Sequence, residues 1–274
     1  MPIGLLAALP LVLASAPGRA QAPAEAPGEV RLPPADPRFI LDLVTENDAY
    51  VRNTDRWYTS GIRLGWHSAE DNLPSPVAWL DRSLAELFGP ARSRWGIAIG
   101  QTFYTPRDKQ LVIPDPQDRP YAGYLFGEFT LDRRTWTTLD RFSLQLGVVG
   151  PAAQAKETQD FVHHILGDRP ARGWNFQLRN EPVFNLGWDR IWRVPLAALP
   201  FGLGVDALPT LELAAGTVQI YAAGGGRLRI GQGLDQDFGP PRIRPTIADG
   251  ATPVGQGFGW YAFVGAGGRA IARD

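Results

Sequence analysis

Two stretches of alternating residues flank a polar loop near the start of the chain. Apolar side chains occupy every second position on both sides of that loop: Phe39, Leu41, Leu43, Tyr58, Ile62, Leu64 and Trp66. The opposite phase carries polar and charged residues: Asp42, Glu46, Asp48, Thr59, Arg63 and His67. A period of two is typical of β-strands, so the two stretches predict an antiparallel hairpin with one apolar and one charged face. Such a hairpin suits a barrel with lipid outside and water inside, or a soluble sandwich.

The amino-acid composition argues against several classes of protein. Lys and Arg number 27 against 28 Asp and Glu, so the charge balance gives no indication of nucleic-acid binding. Cys is absent, which excludes a disulfide framework and a thiol nucleophile. No apolar run of helical membrane-spanning length follows the N-terminal region, whereas 31 Gly, 25 Pro and 9 Trp suit many strands with tight turns and aromatic belts.

The N-terminal region predicts export. Residues 3–16 are apolar, and Ala20-Gln21-Ala22 fits a signal-peptidase site, so we interpret residues 1–22 as a signal peptide. Residues 23–37 are rich in Pro and Ala without periodicity, which predicts a disordered leader. Residues 38–274 are then the β-barrel itself.

Further alternating segments predict strands of membrane-spanning length. They lie at 94–104, 120–131, 139–149, 181–193, 205–216, 217–230 and 257–270. Helical spacing predicts an amphipathic helix within 70–92 and a second helix at 152–167, in a connection too long for a plain hairpin. With the first hairpin the count is nine strands, whereas bacterial single-chain barrels have even numbers, so we expect a C-terminally truncated sequence.

Three histidines are candidates for acid–base chemistry. His67 lies on a strand, where a structural role is expected. His163 and His164 are adjacent on the predicted helix and point about 100° apart, so at most one can face the strands. One of them could act as a general base that activates water. The chain has no G-x-S-x-G motif, which excludes the serine of an α/β-hydrolase.

Oxygen-bearing side chains cluster around the first loop. They are Glu46, Asn47, Asp48, Asp55 and Thr59. Ligands of this type suit Ca²⁺, which can act as a Lewis acid on a carbonyl group. The alternative is an ordinary polar rim, because Asn and Asp are common turn residues.

Several motifs occur together in a fixed order. They are Thr45-Glu46-Asn47-Asp48, Asp55-Arg56-Trp57-Tyr58-Thr59-Ser60-Gly61, Tyr104-Thr105-Pro106, Asp118-Arg119-Pro120-Tyr121-Ala122-Gly123-Tyr124, and Gly150-Pro151 followed by Gln159, His163 and Gly173-Trp174. Over residues 39–190 this series resembles the outer-membrane lipid A 3′-O-deacylases.

The resemblance implies a fold, a location and an activity. The fold would be an all-β antiparallel transmembrane barrel of twelve strands, about nine of them present here, with a short helix in an extracellular loop. The activity would be Ca²⁺-dependent removal of the 3′-acyloxyacyl chain of lipid A in the Gram-negative outer membrane. The implied partners are lipid A or lipopolysaccharide and outer-membrane lipids, without nucleic acid, and the chain is expected to be a monomer.

The resemblance also assigns roles to residues. Asn47 and Asp48 match an Asn-Asp pair of the family, with Asp48 the calcium ligand, and Thr59 matches a family threonine. His163 matches the histidine proposed as general base. Arg107 and Lys109 are the candidates for a basic pair in the loop after the third strand.

One position departs from the family pattern. Arg169 stands where the family has an acidic residue, with Asp168 as a possible substitute, and this puts full calcium ligation in doubt. If the protein is an active deacylase, Arg107, Lys109 or Arg119 would pair with the phosphates of lipid A.

Two alternatives to a deacylase stay open. An outer-membrane phospholipase would need Ser60 or Ser143 to approach a histidine through folding. A catalytically inactive family barrel would have a structural or transport role.

Overall fold

The computed structural model describes residues 32–47, 59–167, 169–240 and 258–273. The strands are β1 (Ile40–Asn47), β2 (Ser60–His67), β3 (Arg92–Tyr104), β4 (Ala122–Arg134), β5 (Thr138–Val149), β6 (Glu181–Trp192), β7 (Val194–Ala198), β8 (Gly204–Gly216), β9 (Ile220–Gln232) and β10 (Trp260–Arg273). The α-helices are α1 (Ser75–Phe88) and α2 (Ala155–Leu166). Neither helix, nor any other in the described ranges, is long and apolar enough to cross a membrane.

The strands form one antiparallel sheet curved into a half-barrel. Its order is β1-β2-β3-β4-β5-β6-β8-β9-β10, and the short β7 pairs with β8. Residues 105–121 and 150–180 connect strands at one end, which we call the loop end. Helix α1 connects β2 and β3 at the opposite end, the α1 end.

The outer face of the sheet is apolar and the inner face is charged. Leu41 is 67% exposed and Leu43 is 65% exposed, whereas Asp42 between them is buried. Arg63 is fully buried between the exposed Ile62 and Leu64. A soluble sandwich would bury its apolar face instead, so this arrangement confirms the barrel with lipid outside.

Buried charges on the inner face neutralise one another. The Arg63 guanidinium donates to Asp42 Oδ1 at 2.5 Å and to Glu128 Oε2 at 3.0 Å. Gln145 Nε2 donates to Glu128 Oε1 at 3.0 Å, and Tyr124 Oη donates to Gln145 Oε1 at 3.0 Å. This network joins strands β1, β2, β4 and β5 across the interior.

The long strands agree with the sequence-based prediction. The segment predicted at 139–149 is Thr138–Val149, and that predicted at 257–270 is Trp260–Arg273. The helix predicted at 152–167 is Ala155–Leu166. The strand β7 was not predicted, because its sequence Val-Pro-Leu-Ala-Ala does not alternate and Pro195 lacks a backbone donor.

Part of the predicted leader packs against the α1 end. Residues 1–31, with the predicted signal peptide, lie outside the described residues. Pro34 O accepts a hydrogen bond from Arg134 Nη2 at 2.9 Å, and the Asp36 backbone N–H donates to Glu70 Oε2 at 2.8 Å. Residues 32–37 are therefore held by side chains of the sheet and of the β2–α1 connection.

Replacing Arg63 tests the interior network. Arg63→Ala leaves the Asp42 and Glu128 carboxylates buried without their cation, so we expect a loss of about 3–5 kcal/mol in the free energy of unfolding. Urea unfolding in phospholipid vesicles measures this loss. Lys156→Ala breaks the exposed pair with Asp160 and should change stability by less than about 1 kcal/mol. Equal effects of the two substitutions would contradict the role given to the network.

Candidate active site on the outer wall

Helix α2 lies against the outer wall of the sheet at the loop end. Gln101, which has the same outward phase as the exposed Ile99, donates from Nε2 to Ala153 O at 2.7 Å just before the helix. A Cβ atom built on Gly123 would lie 2.5 Å from the Cβ of Ala155. The missing side chain at Gly123 therefore lets the start of α2 lie directly on strands β3 and β4.

A second glycine fixes how the chain enters this helix. Gly150 has φ +103°, a conformation that other residues rarely adopt, and its N–H donates to Gly123 O at 2.9 Å. A Cβ atom on Gly150 would also lie 2.5 Å from Arg179 O. These constraints explain the glycine of the Gly150-Pro151 motif at the end of β5.

Trp174 anchors the middle of α2. Its indole Nε1 donates to Gln159 Oε1 at 2.7 Å, and its ring packs on Tyr121 with 4.8 Å between centroids. Burial raises the pKa of the Tyr121 hydroxyl. Gln159 is buried, and its Nε2 makes no hydrogen bond to any described residue. Gln159 lies one helical turn before His163, so both side chains share a face of the helix.

His163 is oriented by a backbone carbonyl. Its Nδ1 lies 2.8 Å from Arg169 O, and because a carbonyl oxygen only accepts, Nδ1 carries a hydrogen, which in the neutral ring leaves the lone pair on Nε2. Gly167, at φ +73°, ends α2, and its N–H donates to His163 O. This turn of the chain lets the Arg169 carbonyl approach the His163 ring. His163 is half-buried, whereas His164 is exposed.

The loop after β3 brings basic residues to the segment that follows α2. Lys109 is half-buried, and its carbonyl accepts from Arg172 N at 2.9 Å and from Tyr121 Oη at 3.3 Å. Arg107 is exposed, two residues earlier in the same loop. Arg119 places its guanidinium 4.7 Å from the ring centre of Tyr104.

Thr59 joins the same end of the sheet. Its Oγ1 lies 2.7 Å from Thr105 Oγ1, and both side chains are buried. Its N–H donates to Phe103 O at 3.0 Å, and Phe103 packs edge-on against Trp174. Thr59 is thereby linked through two aromatic residues to the helix that carries His163.

The predicted calcium ligand Asp48 lies just beyond the described end of β1. The Asn47 backbone pairs with Ser60 at the loop end, whereas the Asn47 side chain, Asp48 and Asp168 lie outside the described residues. Within the described ranges, no group of three His, Cys, Asp or Glu side chains could hold a metal. Thr59 flanks the loop 48–58 and offers an oxygen donor, the type of ligand that calcium prefers.

His67, Ser60 and Ser143 are not placed to act together with His163. His67 is fully buried on the inner face, with Nε2 3.2 Å from Asp42 Oδ2. Ser143 is buried on the inner face of β5, away from the wall that carries α2. No hydrogen bond joins Ser60 or Ser143 to His163 in the described structure, so the geometry does not provide the Ser–His pair that a phospholipase would need.

An apolar outside, a charged inside and a histidine-bearing helix on the outer wall define an outer-membrane β-barrel with a lipid-facing candidate site. The family model described as "Outer membrane protein LpxR" matches residues 5–274, and the chain belongs to this family, which places it in the outer membrane. LpxR from Salmonella typhimurium has a similar fold, with a TM-score of 0.68 and 19% identity over 85% of this chain and 77% of that chain. No curated protein sequence matches. The expected family, fold class and location are thus confirmed.

Substitutions at two glycines of β4 test what holds α2 against the outer wall. Gly123→Val places atoms where Ala155 lies, so α2 should detach and trypsin should cleave after Lys156 and Arg172 at least about tenfold faster. Limited trypsin digestion of the folded barrel measures the rate. Gly127→Val is the control, because a Cβ there meets only Leu146 O at 3.9 Å. Equal cleavage of both variants would show that α2 does not depend on this contact.

Proposed function

We propose that this chain is a lipid A 3′-O-deacylase, an esterase that removes the 3′-acyloxyacyl chain of lipid A. The observation that carries the proposal is the position of His163. Its ring is fixed by the Arg169 carbonyl on a helix that lies on the outer, lipid-facing wall. A base in this position can act on a lipid that remains in the membrane.

The surroundings of α2 suit an amphiphilic, phosphorylated substrate. Between α2 and the α1 end, the outer wall exposes Ile97, Ile99 and Leu146, which can contact acyl chains. At the loop end, the loop 105–121 carries Arg107 and Lys109, which can pair with phosphate groups. Lipid A combines these two features in one molecule.

The proposed reaction is hydrolysis with His163 as general base. His163 Nε2 would take a proton from water while the water oxygen attacks the ester carbonyl carbon. The tetrahedral intermediate would then break its bond to the sugar oxygen, which receives the proton from His163, giving a carboxylic acid and an alcohol. The Arg169 carbonyl would accept from Nδ1–H throughout and stabilise the charged ring. The buried Gln159 amide and nearby cations would favour the oxyanion.

The proposed reaction also uses calcium, with Asp48 as its ligand. Asp48 would supply a carboxylate ligand, with Asn47 and Thr59 as neighbouring oxygen donors that position substrate or metal. When bound, calcium would polarise the ester carbonyl. Arg169 offers no carboxylate, so the ligand set would contain fewer acidic groups than the family pattern implies.

Replacing His163 tests the base. His163→Ala should lower the deacylation rate by about 10²- to 10⁴-fold, because no other described side chain is held there as a base. Mass spectrometry of lipid A from cells that express the protein measures the loss of the acyloxyacyl unit. His164→Ala should retain activity, since that side chain is exposed. Full activity of the His163 variant would refute the mechanism, and inactivity of the parent chain would favour the inactive barrel.

Chelation tests the metal. Treatment with a calcium chelator should reduce deacylation at least about tenfold, and added calcium should restore it more effectively than magnesium, which demands stricter geometry. Asp48→Asn should raise the calcium concentration needed for half-maximal activity. Activity that is unchanged after chelation would remove calcium from the mechanism while leaving the His163 proposal intact.

A further inference from the structure

The connection between β3 and β4 exposes three apolar side chains in a row. Leu111 is 44% exposed, Val112 is 48% exposed and Ile113 is 70% exposed. They stand within Gln110-Leu111-Val112-Ile113-Pro114, which no charged residue interrupts. Single exposed apolar residues are common on protein surfaces, whereas a run of three on a loop is unfavourable in water unless something covers it. We call residues 111–113 the apolar tip.

The chain on both sides of the apolar tip is held against the outer wall. Before the tip, Lys109 O accepts a hydrogen bond from Tyr121 Oη at 3.3 Å. Beyond it, Pro114 lies so close to Gly173 that a Cβ atom built there would be 3.0 Å from Pro114 Cγ, and it would also be 3.2 Å from Leu111 O. Both ends of the tip therefore lie against the segment that follows α2.

A polar turn follows the tip and lies beside the base of the loop. Asp118 N donates to Asp115 O at 3.1 Å, and Gln117 N donates to Asp115 Oδ1 at 2.9 Å. Asp118 Oδ2 accepts from Arg107 N at 2.6 Å, which joins the two ends of the loop. The loop thus presents two different surfaces, the apolar tip at 111–113 and a polar turn at 115–118.

The tip lies at one boundary of the lipid-facing band. Tyr121, beside the tip, packs on Trp174, which packs on Phe103 at the loop end of β3. Trp95 has the same outward phase at the α1 end of β3, where it packs on Trp66. Trp95 and Phe103 are roughly 26 Å apart along the strand at about 3.3 Å per residue, which is comparable with the about 25 Å height of the apolar band in outer-membrane barrels. Because aromatic residues mark both boundaries of that band, the tip lies where acyl chains meet headgroups.

We propose that the apolar tip inserts among the acyl chains of the lipid leaflet at the loop end. The tip is held on the same wall as the exposed Ile97 and Ile99, and the family places this wall in the outer membrane. Transfer of three aliphatic side chains from water into hydrocarbon is favourable in proportion to the apolar area that is buried. The lipid-facing surface of the barrel would thus continue onto the loop.

The charged residues on either side of the tip fit this position. Arg107 and Lys109 precede it and Asp115 follows it, so the loop leaves the hydrocarbon through polar residues on both sides. Long basic side chains can extend towards headgroups while their stems stay against apolar surface. Insertion would hold these two cations at the level of the lipid phosphates, next to the segment that follows α2.

Spin labelling tests the insertion, because the chain has no native cysteine. Val112→Cys, Ile113→Cys and Gln117→Cys each receive a nitroxide label, with Leu64→Cys on the barrel wall as the lipid-facing reference. Gln117 is the control, because it is exposed in the polar turn of the same loop. The full chain is reconstituted in phosphatidylcholine vesicles, and the accessibility of each label is measured to oxygen, which concentrates in hydrocarbon, and to a water-soluble nickel chelate. The ratio of oxygen to nickel accessibility at 112 and 113 should be at least about threefold higher than at 117 and close to that at 64.

Other results would overturn the proposal. A nickel accessibility at 112 and 113 as high as at 117 would show that the tip stands in water. Low accessibility to both reagents would show that protein, such as a second copy of this chain, covers the tip. A ratio at 117 equal to that at 112 would show that insertion is not confined to the apolar tip. The proposal does not rest on deacylase activity, so the loss or presence of that activity leaves this test unchanged.

Discussion

The structure depends on the neutralisation of buried charge inside the sheet. Arg63 is held between Asp42 and Glu128, with Gln145 and Tyr124 extending the network to further strands. Because lipid surrounds the outside, polar groups have to satisfy one another within the wall or meet water inside it. A shift of one residue in strand register would turn Arg63 towards lipid. The ionic interior therefore fixes the register that places every loop.

The candidate site lies on the outer wall, apart from this ionic interior. Gly123 on β4 allows the start of α2 to lie on that wall, and Trp174 holds Gln159 one turn before the histidine. The arrangement joins residues from three connections: the β1–β2 loop, the loop after β3 and the segment after β5. The barrel then supports the candidate site, whose described residues come from connections at one end.

Much of the fold could be predicted from the sequence, because an alternating pattern identifies both a strand and its two faces. The short β7 lacks that pattern and could not be found. The site was less predictable. Helical geometry showed that only one of His163 and His164 could face the sheet, but the ring is oriented by the Arg169 carbonyl, and a backbone group leaves no signal in the sequence. The contact between Trp174 and Gln159 likewise depends on the folded path, while Asp48 stays a prediction.

Alternation in the strands also affects how such a chain reaches its membrane. A protein of the outer membrane first has to pass through the inner one, where a long apolar helix would be retained. In β2, the polar Arg63 separates Ile62 from Leu64, so its apolar side chains form a continuous surface only after the strand has folded. The chain can therefore travel as a polar polymer and become lipid-compatible at its destination, when neighbouring strands align their outward faces.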